Sequence, residues 1–444
     1  VMTRQRSDVV VVGAGISGLV CARDLLRQGF TVRVLEASDR VGGRTYSVHF
    51  GDQRIDLGGQ WIAPKKQQPQ IRQLLEELNL SLHPQHYTGK RVLDVRALPE
   101  PLQYNSDIPS GIGLSGLLMV QVALWWCNLR ARFSVGSSPQ SDTVTRFDDH
   151  STDVLETLVG NSGGGATRAL VVAMVRGVFG CEPKELSWLH FLHYVACAGG
   201  VERLIKIRDG FQESTVLGGT QQISELLAEE VRVLGGILEL NCKVTSVSWK
   251  QEDSVDLTVV SGDQSFECSR CIFAMPPVRL GDICFEPELP SSRAALHRSS
   301  FFGCIIKAVF RYQTPFWRLK GFSGEVVAEA TDEEPCFNCY DHCLGDSYFL
   351  VCFINGAPGR LWSTRSQEER RAVMLKQLIK WFGPEAQDPI DYVEKDWVAD
   401  EFTGGCPVGC YPPKTFAPHM EVRGLGNSNL PRYRHFAGSS CRIS

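Results

Sequence analysis

Three glycines near the start of the chain have the spacing of a site for the phosphates of a dinucleotide. Gly13, Gly15 and Gly18 follow a run of valines and precede residues with helical apolar spacing, which predicts a strand, a tight turn and a helix. Glycines permit that turn and let backbone N–H groups approach a pyrophosphate, whose charge the helix N-terminus favours. Glu36 stands 18 residues after Gly18, where a carboxylate can accept hydrogen bonds from ribose hydroxyls. This order of elements predicts a dinucleotide-binding unit.

A cysteine near the other end of the chain is confined by the residues on both sides. Cys406 lies in the sequence TGGCPVGCYPP, after Gly404 and Gly405 and before Pro407. Glycines allow positive φ and close backbone approach, while proline restricts the residue before it, so the thiol should have a defined direction. Two interpretations are open from these residues: a tight turn that buries the thiol, or a thiol held in place for a reaction.

Lys307 is a third candidate because it interrupts an apolar strand, in the sequence CIIKAVF. Burying an unpaired ammonium group is costly, so an ordinary core would not contain this side chain. Either the lysine lies on the exposed face of an edge strand, or it is buried for a chemical purpose.

Two pairs of cysteines have the C-x-x-C spacing of some zinc sites. Cys268 and Cys271 lie in a predicted strand, where residues three apart face opposite sides, and the second pair is Cys336 and Cys339. No knuckle-like glycines follow the first pair, so we expect no metal site. Serine, histidine and aspartate occur without a nucleophile-elbow motif, which leaves hydrolase chemistry unsupported.

Composition and charge are typical of a globular protein of two or three domains. Of 444 residues, 43% are hydrophobic and 22% are charged, and the net charge of −4 provides no basic field that would attract nucleic acid. We therefore expect no nucleic-acid binding. The first residues, VMTRQRSDVVVVGAG, lack the apolar core and cleavage site of a secretion signal, and the 16 cysteines suggest reduced thiols. We expect an intracellular protein, cytoplasmic or mitochondrial.

One apolar run, residues 111–127, is a candidate membrane segment. Its 17 residues are at the short limit for spanning a bilayer, and Ser115 and Gln121 interrupt it. We expect a buried or interfacial helix, with membrane contact as the less favoured option, and no membrane anchor at the end of the chain.

Further elements follow from apolar periodicity and turn residues. Helices are predicted over 16–28, 67–80, 153–159, 166–178 and 186–197, and strands over 8–12, 31–36, 237–240, 243–249 and 257–260. Thr220 is a possible N-cap of the helix that follows it, and Ser366 with Glu369 has the spacing of a capping box. The polar stretch 137–152 is expected to be an exposed loop.

The residues that follow Glu36 resemble those of the flavin-dependent amine oxidases. EASDRVGGRTYSV places an acid before a G-G-R-T run, and IDLGGQWI contains D-x-G-x-x-W. AMPP at 274–277, and IIK followed by PFW, make the chain similar to the monoamine oxidases over nearly its whole length. The resemblance implies an α/β fold with a Rossmann-like FAD-binding domain of the GR2 type and an inserted mixed α+β substrate domain. The FAD-binding domain would comprise residues 1–85, 210–288 and 397–444, and the substrate domain 86–209 and 289–396.

The resemblance also implies which residues bind FAD. Glu36 would hold the adenosine ribose, and Arg40 with the backbone of Gly43 and Arg44 would approach the pyrophosphate. The whole set of implied cofactor residues is Gly13, Gly15, Gly18, Glu36, Arg40, Gly43, Arg44, Gly58, Gly59, Gln60, Val244, Trp397 and Cys406. Of these, Gly58 to Gln60 would pass close to the flavin.

Three side chains acquire catalytic or covalent roles through the same resemblance. Lys307 would hold a water beside flavin N5, where a cation also favours the reduced flavin. Gln212, in DGFQE, matches a glutamine that lines the substrate site, although a surface loop position is an equal alternative. Cys406 matches the cysteine that forms a thioether to the flavin 8α-methyl, whereas many other relatives hold FAD noncovalently.

Two positions depart from the monoamine oxidases. Pro407 stands where membrane-bound members have a tyrosine, which is one of two aromatic residues beside the flavin. The chain reads HFAGSSCRIS at 435–444, without the acid and the last flavin-binding helix that follow FAG in the family. Weak flavin binding, or a truncated form without activity, is therefore one expectation.

The function implied is FAD-dependent oxidation of a primary or secondary amine by O2, which gives an aldehyde, ammonia and hydrogen peroxide. An oxidase of polyamines or L-amino acids with the same fold is one alternative, and a truncated, catalytically inactive flavoprotein is another. The implied partners are a small amine and O2, and a homodimer is a further expectation.

Overall fold

A computed structural model describes residues 4–106, 108–136, 142–160, 164–249, 257–417 and 434–436. The residues after Phe436, where the sequence departs from the family pattern, lie outside the described part of the chain. Two large sheets organise the described part of the chain.

The first sheet has eight strands and contains the predicted glycine turn. Its strands lie in the order Ile237–Glu239, Val32–Leu35, Arg4–Val12, Gln264–Phe273, Leu257–Ser261, Ser246–Trp249 and Cys284–Glu286, and Arg434–Phe436 also pairs with Gln264–Phe273. Strand Arg4–Val12 is parallel to both of its neighbours, since Val9 is opposite Val32 on one side and Arg270 on the other. Its valines Val9–Val12 are all buried, as expected for a parallel strand covered on both faces.

Two helices pack next to each other on this sheet. Ile16–Arg27 follows the glycine turn, and Gln221–Val233 packs against it. Their apolar faces meet the valine strands in one core cluster that includes Leu19, Ile223 and Leu227. The end of the first strand and the start of the first helix are thereby fixed relative to each other, which places the glycine turn.

The second sheet has seven strands and carries Lys307. Its strands lie in the order Asp391–Asp396, Ile305–Tyr312, Tyr348–Asn355, Cys336–Asp341, Phe322–Ala328, Lys90–Asp94 and Leu102–Tyr104. Ile305–Tyr312 has a neighbour on each side, with Lys307 opposite Phe353 and Lys395. The interpretation of Lys307 as an exposed residue of an edge strand is therefore wrong.

The remaining elements are short sheets and helices. The short strand groups are Ser47–Phe50 with Gln53–Asp56, Trp61–Ile62 with Ser214–Val216 and Leu82–Pro84, and Phe301–Phe302 with Gly409–Cys410. The other α-helices are Pro69–Glu77, Gly113–Gly136, Asp142–Asp148, Val154–Val159, Gly164–Phe179, Trp188–Ala198, Val201–Ile205, Ser291–Ser299, Phe316–Leu319, Gly356–Trp362 and Gln367–Phe382. Short 3-10 helices are Ser110–Ile112, Pro183–Glu185, Pro277–Asp282 and Pro384–Gln387.

Three local predictions have clear outcomes. The capping box is confirmed, since the Ser366 hydroxyl accepts from the Glu369 N–H and the Glu369 carboxylate accepts from the Ser366 N–H. Thr220 precedes its helix as predicted, but its side chain makes no capping hydrogen bond and bonds elsewhere. The expected loop 137–152 is wrong in part, because Asp142–Asp148 is helical, while 137–141 lies outside the described residues.

The helix Gly113–Gly136, here called the apolar helix, is only partly buried. Within the described residues it overlaps the one helical segment, Ser110–Ser134, that is long and apolar enough to cross a membrane, and only 22% of the 18 most apolar consecutive residues there are buried. One face packs Cys127 and Ala131 into a helical core. The opposite face leaves Leu118 64% and Trp125 63% exposed, so the expectation of a buried helix is wrong and that of an interfacial helix stays a prediction.

Candidate active site

A cavity of about 1190 Å³ is lined by residues from both large sheets. Of the predicted site residues, those that line it are Gly13, Gly15, Glu36, Arg40, Gly43, Arg44, Gly58, Gly59, Gln60, Gln212, Val244, Lys307, Trp397 and Cys406. Gly18 is the exception. Its role is packing, since a Cβ there would lie 2.0 Å from the carbonyl oxygen of Gly13.

The glycine turn presents its backbone to one end of the cavity. Gly13 has φ +105° and its N–H donates to the Leu35 carbonyl over 2.8 Å, which holds the turn against the second strand. A Cβ on Gly15 would meet nothing within 4 Å, and one on Gly43 would meet only the Cα of Gly15 at 3.8 Å. These glycines therefore leave open space in which a phosphate group could approach the backbone.

Glu36 is fixed at the end of strand Val32–Leu35. One carboxylate oxygen accepts from the Ala14 N–H over 2.7 Å, and the other accepts from the N–H and hydroxyl of Ser38 over 3.0 and 2.9 Å. The side chain is buried and still lines the cavity. The carboxylate is thus held beside the glycine turn, as its predicted contact with a ribose requires.

Two arginines hold the loops that enclose this end. Arg40 donates to the carbonyl oxygens of Gly43 and Thr45 over 2.9 and 3.2 Å. Arg44 donates to the Pro407 carbonyl over 2.5 Å and so connects the G-G-R-T run to the segment that carries the predicted tether. Burial lowers the pKa of both guanidinium groups.

Lys307 lies where the glycine-rich end meets the rest of the cavity. Its ammonium donates to the Gly58 carbonyl over 2.9 Å and to the side-chain oxygen of Gln60, and the residue is only 2% exposed. Burial lowers the pKa of Lys307 to about 8, against the opposing charge of Asp56. Within the described residues the buried Gln60 amide nitrogen has no hydrogen-bond partner, so it is available to an acceptor in the cavity.

Cys406 is buried with its direction set by the backbone. Its N–H donates to the Gly303 carbonyl over 3.0 Å, and Gly405 before it has φ +137°. A Cβ on Gly405 would lie 2.5 Å from the Cβ of Phe302, so only glycine fits. Burial raises the pKa of the Cys406 thiol to about 12, although the charges of Arg44 and Lys307 act in the opposite direction.

The two other predicted cofactor contacts also border the cavity. Val244 is buried, and the Trp397 indole donates to the Leu57 carbonyl over 2.9 Å, which fixes the ring beside the loop that holds Lys307. Pro407, which stands where membrane-bound monoamine oxidases have a tyrosine, lines the same region of the cavity.

The other end of the cavity is aromatic and was largely missed from the sequence. Gln212 donates to the Tyr340 hydroxyl over 3.2 Å, as does Asn338 over 3.3 Å. The ring of Tyr340 meets Trp61 edge-on, with centroids 4.9 Å apart. Gln212 is therefore a cavity residue, so a purely surface position is wrong. Alternation along strand Cys336–Asp341, which gives Asn338 and Tyr340 one face, is the only sequence signal for this pair.

Apolar side chains make up most of the remaining wall at this end. They include Leu170, Ala173, Met174, Val178, Phe211, Val327, Phe337 and Phe353. A carboxylate, Glu325, also borders this region, but it forms an ion pair with Arg91 at 2.7 Å. The arginines that line the cavity in the described part of the chain are Arg40, Arg44 and Arg279, and all three donate to backbone carbonyls.

Comparison with known proteins identifies the family. Residues 16–442 match the sequence profile of the flavin containing amine oxidoreductases. The chain belongs to this family. Among relatives of this amine oxidoreductase, AofH of Mycobacterium tuberculosis is 35% identical over 416 residues, 93% of this chain and 87% of AofH. Amine oxidase [flavin-containing] A of Sus scrofa is 30% identical over 439 residues, 94% of this chain and 77% of that protein.

Solved structures are also similar to this amine oxidoreductase. Cyclohexylamine oxidase from Brevibacterium oxydans superposes with a TM-score of 0.88 at 29% identity, covering 99% of this chain and 94% of that one. Putrescine oxidase bound to putrescine gives a TM-score of 0.86 at 29% identity, covering 98% and 94%. The predicted family and α/β fold class are confirmed, and the protein is an oxidoreductase of a flavin-containing family.

The cavity fits the flavin that the family implies. Open space faces Gly15 and Gly59, and the buried Gln60 nitrogen lacks an acceptor in the described part of the chain. Both are features of a site for a large polar group that contacts backbone. In the described residues no group of three or more side chains could hold a metal ion.

Proposed function

We propose that this protein binds FAD along the glycine-rich end of the cavity and oxidises a primary or secondary monoamine at the aromatic end. The observation that carries the proposal is the position of Lys307, whose buried ammonium is held by Gly58 and Gln60 where the two ends meet. On the glycine-rich side, the glycine turn, the helix after it and the acidic residue form an arrangement that binds dinucleotides in Rossmann folds. On the other side, the lining residues form an apolar pocket.

The residues that would hold FAD follow from the contacts above. The turn at Gly13 and Gly15 and the backbone of Gly43 would receive the pyrophosphate, with Glu36 at the adenosine ribose. Gly58, Gly59 and Gln60 would lie along the flavin, with Val244 and Trp397 as further contacts. The domain boundaries given above stay a prediction.

Bound FAD would supply the two-electron oxidant: the amine would lose a hydride equivalent from its α-carbon and a proton from its nitrogen, and O2 would take up these two electrons and two protons as hydrogen peroxide. Water would hydrolyse the resulting imine to an aldehyde and ammonia. Lys307 would place a positive charge, and a water held by its ammonium, at the point where oxygen is reduced. The apolar wall would bind the amine in its neutral form, because an ammonium ion in that environment lacks a counter-charge. Tyr340 and Trp61 would orient the amine, and Gln212 fixes the Tyr340 hydroxyl.

Cys406 is the proposed tether of the flavin. In support, its thiol lies in a buried, fixed segment that borders the cavity, and Arg44 joins this segment to the predicted pyrophosphate loop. The thioether would replace the S–H bond of the thiol and one C–H bond of the 8α-methyl group, and the two electrons and two protons released would pass to the flavin and then to O2. A rigid thiol suits a reaction in which one sulfur must meet one methyl carbon.

Charges at the aromatic end favour a monoamine over the alternatives. A polyamine would place a second ammonium there, but the charge of Glu325 is already matched by Arg91. An amino acid needs an arginine for its carboxylate, and the three cavity arginines of the described chain are committed to carbonyls near the proposed cofactor. Both features favour a substrate with one amine and an apolar remainder.

A peroxide assay on the purified full chain, loaded with FAD, tests the proposal with a panel of monoamines, diamines and L-amino acids. Monoamines should give the highest kcat/KM. Preference for diamines or amino acids would replace the proposed substrate class, and FAD binding without peroxide from any compound would favour the inactive flavoprotein.

The apolar helix suggests one partner, and we propose that it lies on an anionic membrane surface. The segment 110–136 contains no Asp or Glu, while Arg130 and Arg132 are exposed near its end and complement anionic headgroups. Leu114, Leu118 and Trp125 are exposed on the same side of the helix and would enter the interfacial region.

A further inference from the structure

Thr220 makes hydrogen bonds that its predicted capping role does not explain. Its hydroxyl lies 2.6 Å from the Gly59 carbonyl oxygen and 2.9 Å from Oδ1 of Asp56, and its N–H donates to the same Oδ1 over 2.9 Å. Thr220 and Asp56 are both buried. The threonine therefore ties the start of helix Gln221–Val233 to the loop between Asp56 and Gln60.

Asp56 is the centre of this group of hydrogen bonds. Besides its two contacts with Thr220, it accepts from the Ser47 hydroxyl over 2.6 Å. Gly219 has φ +89°, and a Cβ there would lie 2.4 Å from the Ser47 oxygen, so the arrangement requires glycine. Two other segments of chain, at Ser47 and at Gly219–Thr220, thus converge on one buried carboxylate.

The loop held in this way is the one that binds the Lys307 ammonium. Gly58 and Gln60 accept from Lys307, and Gly59 between them is bound by the Thr220 hydroxyl. A buried ammonium needs both fixed acceptors and a counter-charge, because desolvation otherwise favours its neutral form. Asp56 is the carboxylate whose charge acts most strongly on Lys307. Burial raises the pKa of Asp56, while the charge of Lys307 and the hydrogen bonds from Ser47 and Thr220 favour its ionised form.

The other titratable groups around Lys307 do not supply that charge. His342 is buried, and its pKa is lowered to about 4, so it is neutral at physiological pH. The Cys406 thiol is also neutral, because its pKa is raised to about 12. The charge of Asp400 is matched by Lys395, which lies opposite Lys307 on the neighbouring strand and pairs with Asp400 at 2.7 Å.

We propose that Asp56 and Thr220 are positioning residues for Lys307: Thr220 holds the loop Gly58–Gln60 against the ammonium, and Asp56 supplies the negative charge that keeps it protonated. This inference rests on the proposed function, in which the charged form of Lys307 serves the reaction of the reduced flavin with O2. That reaction should fall as the pH rises through the pKa of Lys307, about 8 in the present structure.

The test is the pH dependence of flavin reoxidation by O2, measured by stopped flow on reduced, FAD-loaded full chain. In Asp56→Asn the alkaline fall should move to lower pH by about 1 unit, since a nearby opposite charge is lost. Thr220→Val should move it in the same direction by a smaller amount, and Thr220→Ser should restore the original profile. Thr152→Val is the matched control, because Thr152 is equally buried and its hydroxyl donates to a carbonyl remote from Lys307, that of Leu186.

A purely structural role would lower stability without moving the profile, which is the result that would overturn the inference. If Asp56→Asn does not fold, the comparison of Thr220→Val with Thr220→Ser decides the question in the same way. Failure of the proposed function would look different: wild-type protein would lack amine-dependent reduction altogether, or its reoxidation profile would be identical in Lys307→Met.

Discussion

The ammonium of Lys307 donates a hydrogen bond to the carbonyl of Gly58 over 2.9 Å. This contact joins an interior strand of the second sheet to a glycine-rich loop that borders the first, across 249 positions of sequence. It places a buried positive charge between a dinucleotide-like cradle and an aromatic pocket. Under the proposed function, that is where charge would develop as oxygen is reduced.

Replacing Lys307 by methionine should slow the reaction of the reduced protein with O2 on the order of 100-fold, the cost of removing one preorganised charge. Methionine retains the length and apolar stem, so flavin content should change little. Rapid mixing of reduced protein with oxygenated buffer measures the rate, and Lys376→Met, at an exposed helix position, is the control. An unchanged rate would remove Lys307 from the oxygen reaction.

Two glycines of the same turn should respond differently to alanine. Gly18→Ala should destabilise the protein by about 3 kcal/mol, because its Cβ would meet the Gly13 carbonyl oxygen at 2.0 Å. Gly15→Ala has open space and should keep its thermal midpoint within a few degrees, yet lose FAD affinity because the methyl group fills the cradle. Thermal unfolding without cofactor and FAD titration separate the two effects; equal FAD affinity of Gly15→Ala and wild type would argue against the cradle.

Cys406 should determine whether the flavin stays attached to the protein when the protein is precipitated with acid. We expect the yellow colour in the pellet of the wild type and in the supernatant of Cys406→Ala. Cys304→Ala is the matched control, since Cys304 is a buried cysteine of the same region that does not line the cavity, and its flavin should stay in the pellet. Colour in the wild-type supernatant would leave a flavoprotein without the thioether.

The apolar helix should direct the protein to anionic vesicles. We expect wild-type protein to float with vesicles that contain phosphatidylserine, more than with neutral ones, and the double variant Leu118→Glu with Trp125→Glu to remain in solution. Leu319→Glu is the control, because Leu319 is 77% exposed elsewhere. If the wild type does not float but forms a dimer that the double variant abolishes, the helix face binds a second copy instead.

The glycine turn, Glu36 and the capping box could be predicted because each depends on a few neighbouring residues. The hydrogen bonds of the Thr220 hydroxyl could not be predicted, because its partners Asp56 and Gly59 come from a distant segment of the sequence. The aromatic end shows the same limit. Tyr340 faces Trp61 and Gln212 only because three separate segments meet there, which no local pattern records.

The apolar helix illustrates a different limit. Its composition led us to expect burial over residues 111–127, and Cys127 is buried, but the sequence does not specify what covers the exposed face. Lys307 was ambiguous for a similar reason, as only the pairing of its strand on both sides excludes an edge position. Resemblance to a family, rather than periodicity, pointed to its chemistry.

The most direct test of the account is anaerobic mixing of the FAD-loaded full chain with a primary monoamine such as benzylamine, followed by the visible absorbance of the flavin. We predict that the amine bleaches the flavin and that admitting O2 restores the colour with one hydrogen peroxide per aldehyde. A protein that binds FAD but is not reduced by any monoamine would contradict the proposed function.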